Sequence, residues 1–317
     1  MIDDHGLSRA ARHWRVGTSR LDRDTLAILL RCTDETPGER LTIDGHLLAN
    51  EGCVGVGANG AIFMVDTGQD RLALKLFNHD ISRADNADAV LGAVAEVALG
   101  SIVRSDFVMT YSRLVIAPLP GDPPRSFAYG LRRWSNGVPA KWELHKDRSD
   151  LNGAFDRLAT GLDDMHAVGI VHRDVRPANV LIGDGDACWI DLGSAHREAT
   201  GQGRMLPRAE ECSPYAPAEV RNPPGKMDRN RWGRPADVFA FAAIMCHLAT
   251  CLCPLDDNGA LTESARTALE TCPRLSRDRT TVIQRMLVSQ PADRIDMNRV
   301  ITAIAAAHTK THTRGEA

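Results

Sequence analysis

A chain of 317 residues with 43% hydrophobic and 25% charged residues has the size and makeup of a folded protein of one large domain or two lobes, not of a disordered or fibrous one. The formal net charge of -3 supplies no global basic field of the kind that grips a nucleic-acid backbone, so nucleic acid is not expected as a partner. Eight cysteines without metal-ligand spacing point to thiols in a reducing compartment, and the start "MIDDHGLSRA" lacks the basic and then apolar pattern of an export signal. The expected location is the cytoplasm, with delivery by a dedicated secretion machine left open.

Residues 1–45 read as an extension, with a helix-like run at Asp22–Cys32 and a turn-rich "DETPGER". From Leu47 the pattern becomes strand, glycine turn and strand, through "VGVGANGAI" with Gly55, Gly57 and Gly60. Glycines there let backbone N–H groups approach phosphate oxygens with no side chain between them. A dinucleotide site would run from the glycines straight into a helix, whereas here they lead into another strand. The strand "RLALKLF" follows and carries one polar residue, Lys75, in an apolar run. A cation in that setting calls for an anion, and Glu96 in the predicted helix over 86–100 is its natural partner.

"FVMTY" and "RLVIAPL" read as two further strands, and "PLPGDPP" as a stiff connector closing the first lobe. The boundaries expected are an N-lobe over 46–117, a hinge at about 117–121, a C-lobe over 122–307 and a flexible tail over 308–317. Within the C-lobe, helices are predicted over 151–168, 237–250, 260–271, 280–288 and 296–307. Two short strands, Val180–Ile182 and Ala187–Ile190, are joined by "GDGD". The apolar stretch Val238–Leu255 contains His247 and is short for a membrane span, so a buried helix is expected in its place.

"HRDVRPANVLI" concentrates reactive groups. Asp174 can accept a proton from an attacking hydroxyl, and Asn179 can offer a carboxamide oxygen to a divalent ion. His172 and Arg173 suit fixing the loop, while Arg176 can meet a transferring phosphoryl group. Twelve residues after Asn179, Asp191 in "IDLGSA" precedes a glycine and can hold magnesium. Asp184 and Asp186 belong to the solvent-facing "GDGD" turn and are discounted. This set points to phosphoryl transfer by positioning and electrostatics.

In the order of these motifs the chain resembles a eukaryotic-type serine/threonine protein kinase from about Leu47 to Ile304. The resemblance implies an α+β, bilobal fold with a small β-rich N-lobe, a larger helical C-lobe and ATP in the cleft. ATP with Mg2+, or Mn2+ in its place, and a protein substrate are implied as well. "RLALK" matches the nucleotide-positioning lysine, "HRDVRPAN" the catalytic loop and "DLG" the metal loop. "SPYAPAE" resembles the end of an activation segment, so that Glu219 is expected to pair with Arg294, and Asp237 in "RPADVFAF" to anchor the catalytic-loop backbone. Ile116 and Leu119 are expected beside the nucleotide base, and Thr200 and Ser213 are candidate phosphosites.

Several residues depart from the pattern: Arg176 stands where lysine is usual, Leu192 where phenylalanine is, and Pro217-Ala218 reverse the common order. Two alternatives stay open, a catalytically weak kinase-like regulator and a small-molecule phosphotransferase.

Overall fold

A computed structural model describes residues 42–43, 46–57, 60–66, 71–80, 87–111, 113–119, 125–145, 151–198, 213–221 and 232–314. The glycine-turn residues 58–59, the extension before Thr42, and Thr200 lie outside them. The fold is bilobal, with a β-rich N-lobe and a larger, mainly helical C-lobe. Among the described residues the N-lobe unit runs to Val97 and takes in Tyr111–Trp134, and the C-lobe unit holds Ala98–Thr110 and everything from Ser135 onward.

The N-lobe unit is built on a six-stranded sheet. Its strands are β1 (Thr42–Ile43), β2 (His46–Gly57), β3 (Gly60–Asp66), β4 (Arg71–Asp80), β5 (Arg113–Leu119) and β6 (Arg125–Arg133), in the order β1-β2-β3-β4-β6-β5. β2 and β3 form the glycine hairpin, with Gly57 opposite Gly60 and register shifts near Cys53. Central strand β4 is buried on both faces from Ala73 to Phe77, which is why "RLALKLF" reads as a continuous apolar run and not as an alternation. Helix α1 (Ala87–Ile102) follows where the alanine- and leucine-rich stretch predicts a helix over 86–100, and continues two residues past Gly100.

Two expectations fail in this region. "PLPGDPP" does not close the lobe: β6 begins at Arg125 and pairs back antiparallel with both β5 and β4, so the unit continues to Trp134 and the hinge does not fall at 117–121. The prolines suggest a connector, yet Pro118 sits in β5, opposite Ser126, in an edge strand of the kind that tolerates proline. "FVMTY" makes no sheet strand either. Val108 forms a single parallel bridge to Trp189, with Met109 N–H donating to Trp189 O at 2.8 Å, so most of this segment belongs to the C-lobe unit.

The C-lobe unit contains α2 (Trp142–His145), α3 (Asn152–Ala167), α4 (Ala218–Arg221), α5 (Arg234–Thr250), α6 (Glu263–Glu270), α7 (Arg277–Met286) and α8 (Met297–Arg314). Small strands accompany them: β7 (Val138–Pro139), β8 (Ile170–Val171), β9 (Val180–Gly183), β10 (Asp186–Trp189) and β11 (His196–Arg197). β9 and β10 close around the exposed Asp184-Gly185 turn, where Gly185 has φ 70°, as "GDGD" predicts. α8 runs to Arg314, past the tail boundary expected at 308, because the alanine-rich run before His308 meets no Gly or Pro until Gly315.

α5 is buried almost all round, the reading expected of Val238–Leu255. Phe241 stacks on Phe155 of α3 at 5.3 Å and meets Trp189 edge-on at 5.6 Å. The buried indole of Trp189 donates to Leu158 O at 2.7 Å. Thr262 and Ser276 cap α6 and α7 by accepting N–H bonds from Ala265 and Arg279. Among the described residues the cysteines remain as thiols, and no helix is long and apolar enough to cross a membrane.

Candidate active site

In the N-lobe unit, Lys75 of β4 and Glu96 of α1 form a buried ion pair, with Nζ 3.0 Å from each carboxylate oxygen. Both side chains are about 96–97% shielded from solvent. Lys75 Nζ also lies 5.1 Å from the Phe77 ring and 5.7 Å from that of Tyr111. Gly130 stands opposite Lys75 in β6, and a Cβ there would come within 2.9 Å of the Tyr111 ring, so the glycine admits that aromatic wall.

A buried lysine held by a carboxylate at both oxygens has a fixed position, which is what a charge meant to meet phosphate oxygens needs. Neutralising Glu96 frees the lysine stem. Glu96→Gln is expected to leave the far-ultraviolet circular dichroism spectrum intact and to lower phosphoryl-transfer turnover by about a hundredfold; wild-type turnover would remove Glu96 from the machinery.

The catalytic-loop segment lies in the C-lobe unit between β8 and β9. Arg173 has φ 64° and Asp191 φ 65°, the left-handed region that non-glycine residues avoid. Asp237, buried at the start of α5, holds the first of these turns. Its carboxylate accepts from His172 N–H at 2.7 Å, Arg173 N–H at 2.9 Å and His166 Nε2 at 3.1 Å. His172 is fully buried beside Trp189 and accepts from Asp174 N–H at Nδ1.

The Asn179 amide donates at 2.8 Å to both the Asp174 carbonyl and Asp174 Oδ2, which fixes the carboxylate and leaves Asn179 Oδ1 available to a cation. Ile190 N–H donates to Asn179 O at 2.9 Å and so ties the loop to the residue just before Asp191. Asp191 Oδ1 accepts from Gly193 N–H at 3.1 Å, in the turn that its glycine predicts. Arg176, half-exposed, lies 3.9 Å from Asp174, a solvated pairing.

One amide oxygen and one carboxylate suit Mg2+, which takes few protein ligands and completes its shell with water and phosphate oxygens. Among the described residues no three His, Cys, Asp or Glu side chains converge as a separate metal site.

Glu219 of α4 and Arg294 meet through two parallel hydrogen bonds, Nη1 to Oε1 and Nη2 to Oε2, the second at 3.0 Å. Arg294 further donates to Val288, Ser289 and Pro235 carbonyls and lies over the Phe239 ring. Nearby, Tyr215 Oη and His247 Nδ1 share a 2.7 Å hydrogen bond. Burial pushes the tyrosine up to about 12 and the histidine below its usual value, so the pair is neutral near pH 7.

Other expected placements change. Ile116 and Leu119 lie on edge strand β5, opposite Ala128 and Arg125, with β6 between them and the strand of Lys75. The backbone that leaves the N-lobe unit is Trp134, so the base-contacting role assigned to Ile116 and Leu119 rested on the misplaced hinge. Ser213 is buried, donates to Val175 O at 3.3 Å and accepts from Tyr215 N–H at 3.2 Å. It is a turn-holding residue, and a modifying enzyme could reach it only with that turn opened. Sequence reading passed over His166, whose signal was only its place six residues before His172, and Arg132, which falls between "PLPGDPP" and the helix predicted over 151–168.

Comparison with known proteins bears on this arrangement. Residues 48–304 match the protein kinase domain. The chain belongs to the protein kinase family. Similar curated proteins include the interferon-induced, double-stranded RNA-activated protein kinase of Rattus norvegicus, 22% identical over 175 residues, which are 53% of this chain and 33% of that protein. CBL-interacting serine/threonine-protein kinase 16 of Arabidopsis thaliana is 24% identical over 159 residues, 46% of this kinase chain and 33% of the relative. Serine/threonine-protein kinase mos of Gallus gallus is 33% identical over 86 residues, 27% of this chain and 24% of the relative. The kinase chain thus spans a third or less of the length of these relatives.

Proposed function

We propose that this kinase transfers the terminal phosphoryl group of ATP to serine or threonine hydroxyls of a protein substrate. The observation that carries the reading is the catalytic loop, where Asn179 holds the Asp174 carboxylate while Asp237 holds the backbone N–H groups of His172 and Arg173.

Each residue has a task in that reaction. The glycine hairpin at Gly55, Gly57 and Gly60 presents backbone N–H groups to phosphates. Lys75, steadied by Glu96, meets phosphate charge. Asn179 and Asp191 would hold Mg2+, which would supply neutralisation of charge on the phosphate oxygens. Asp174 orients the acceptor hydroxyl and takes its proton as the oxygen attacks the γ-phosphorus, and ADP departs. Arg176, solvated beside Asp174, brings a positive charge that can meet the phosphoryl group in flight.

Incubation with γ-labelled ATP, Mg2+ and a mixed protein lysate tests this reading, with chelation of the metal as control. Label is expected on serine and threonine of proteins and absent after chelation. Label confined to small metabolites would favour small-molecule transfer, and no labelling of either, with nucleotide still bound, would favour a regulatory kinase-like protein.

A further inference from the structure

Arg132 is the anomaly of the N-lobe unit. It lies in β6, one residue before the strand's end, and is only 7% exposed. Its Nε and Nη1, both shut off from solvent, have no hydrogen-bond partner among the described residues. Buried N–H donors on a charged group are costly when unpaired, so such a side chain calls for an acceptor.

Strand register says where that acceptor belongs. Lys75 stands opposite Ile62 and Gly130, and Ala73 stands opposite Met64 and Arg132. Directly opposed residues share a face, as do residues two apart on one strand, so Arg132, Ala73 and Lys75 point to the same side of the sheet. Gly60 stands opposite Phe77, on the other side of Lys75 from Ala73. Gly60, Lys75 and Arg132 therefore follow one another in that order along the strand direction, over about 13 Å at roughly 3.3 Å per residue. With the phosphates at the glycine and lysine end, the base of a bound nucleotide falls at the Arg132 end.

We propose that Arg132 sets the base preference of the nucleotide site, receiving the O6 and N7 edge of a 6-oxopurine so that GTP is bound alongside ATP. The proposal rests on the nucleotide reading above. A guanidinium offers donors only, in a planar fork. Guanine presents two acceptors on that edge, O6 and N7, whereas adenine presents one acceptor and the N6 amino donor. Fork and guanine edge match; fork and adenine edge set donor against donor.

Calorimetric titration of the wild-type protein with the Mg2+ complexes of ATP, GTP and ITP, beside Arg132→Met and Arg132→Gln, tests the assignment. ITP shares O6 and N7 with guanine but lacks its 2-amino group. In wild type, GTP and ITP are expected to bind at least as tightly as ATP. In Arg132→Met both should weaken by about tenfold relative to ATP, and in Arg132→Gln, whose amide both donates and accepts, the preference should move to ATP. Wild-type GTP and ITP affinities tenfold below that of ATP would overturn the proposal while leaving the nucleotide reading intact, and so would an unchanged ratio in folded Arg132→Met. Binding of none of the three would overturn both. Should the variants fail to fold, the wild-type affinity ratio by itself separates support from refutation.

Discussion

Replacing Asp174 with Asn is expected to lower phosphoryl-transfer turnover by about 100- to 10,000-fold, the range a positioned general base contributes. The substitution keeps the shape and an oxygen that can still accept from Asn179, whose amide bonds both the carbonyl and the carboxylate of residue 174 at 2.8 Å. In the proposed reaction it removes the group that takes the acceptor's proton. The side chain is partly exposed and supports no core packing, so the melting temperature and Mg-nucleotide affinity should stay close to wild type. Single-turnover kinetics beside nucleotide titration separates the two effects. Turnover within threefold of wild type would remove Asp174 from the chemistry.

The second large effect is on stability. Asp237→Ala is expected to cost about 3–5 kcal/mol, because it orphans buried donors at about 1–3 kcal/mol each and the losses are not strictly additive. Three donors converge on this carboxylate: the backbone N–H groups of His172 and Arg173, and His166 Nε2. Two of them hold a turn in which Arg173 has φ 64°, a conformation that persists only where its surroundings impose it. Against a total of about 5–15 kcal/mol for a typical domain, such a loss is a large share. Asp237→Asn, which keeps one acceptor, should lose less. Urea unfolding of both variants measures the difference, and a midpoint for Asp237→Ala equal to wild type would refute the clamp. Any residual activity should fall with it, since the same bonds set the backbone that carries Asp174.

Local chemistry determined a good deal of this protein before any fold was known. Alanine- and leucine-rich runs specify α1, α3 and α5 because helix propensity and apolar content act over near neighbours, and "GDGD" specifies the β9–β10 turn for the same reason. The reactive residues of the catalytic loop lie within eight positions, so their mutual reach needs no tertiary information. Long-range partners such as Lys75 with Glu96 and Glu219 with Arg294 were legible only through charge need and through likeness to a family.

Tertiary structure alone decided what depends on pairing between distant strands. The prolines of "PLPGDPP" read locally as an end, yet β6 returns to pair with β4, and that ladder moves the hinge beyond Trp134 and puts Ile116 and Leu119 on the sheet edge. The same ladder aligns Arg132 with Lys75, a relation invisible in the sequence because strand register is set by hydrogen bonds between segments more than fifty residues apart.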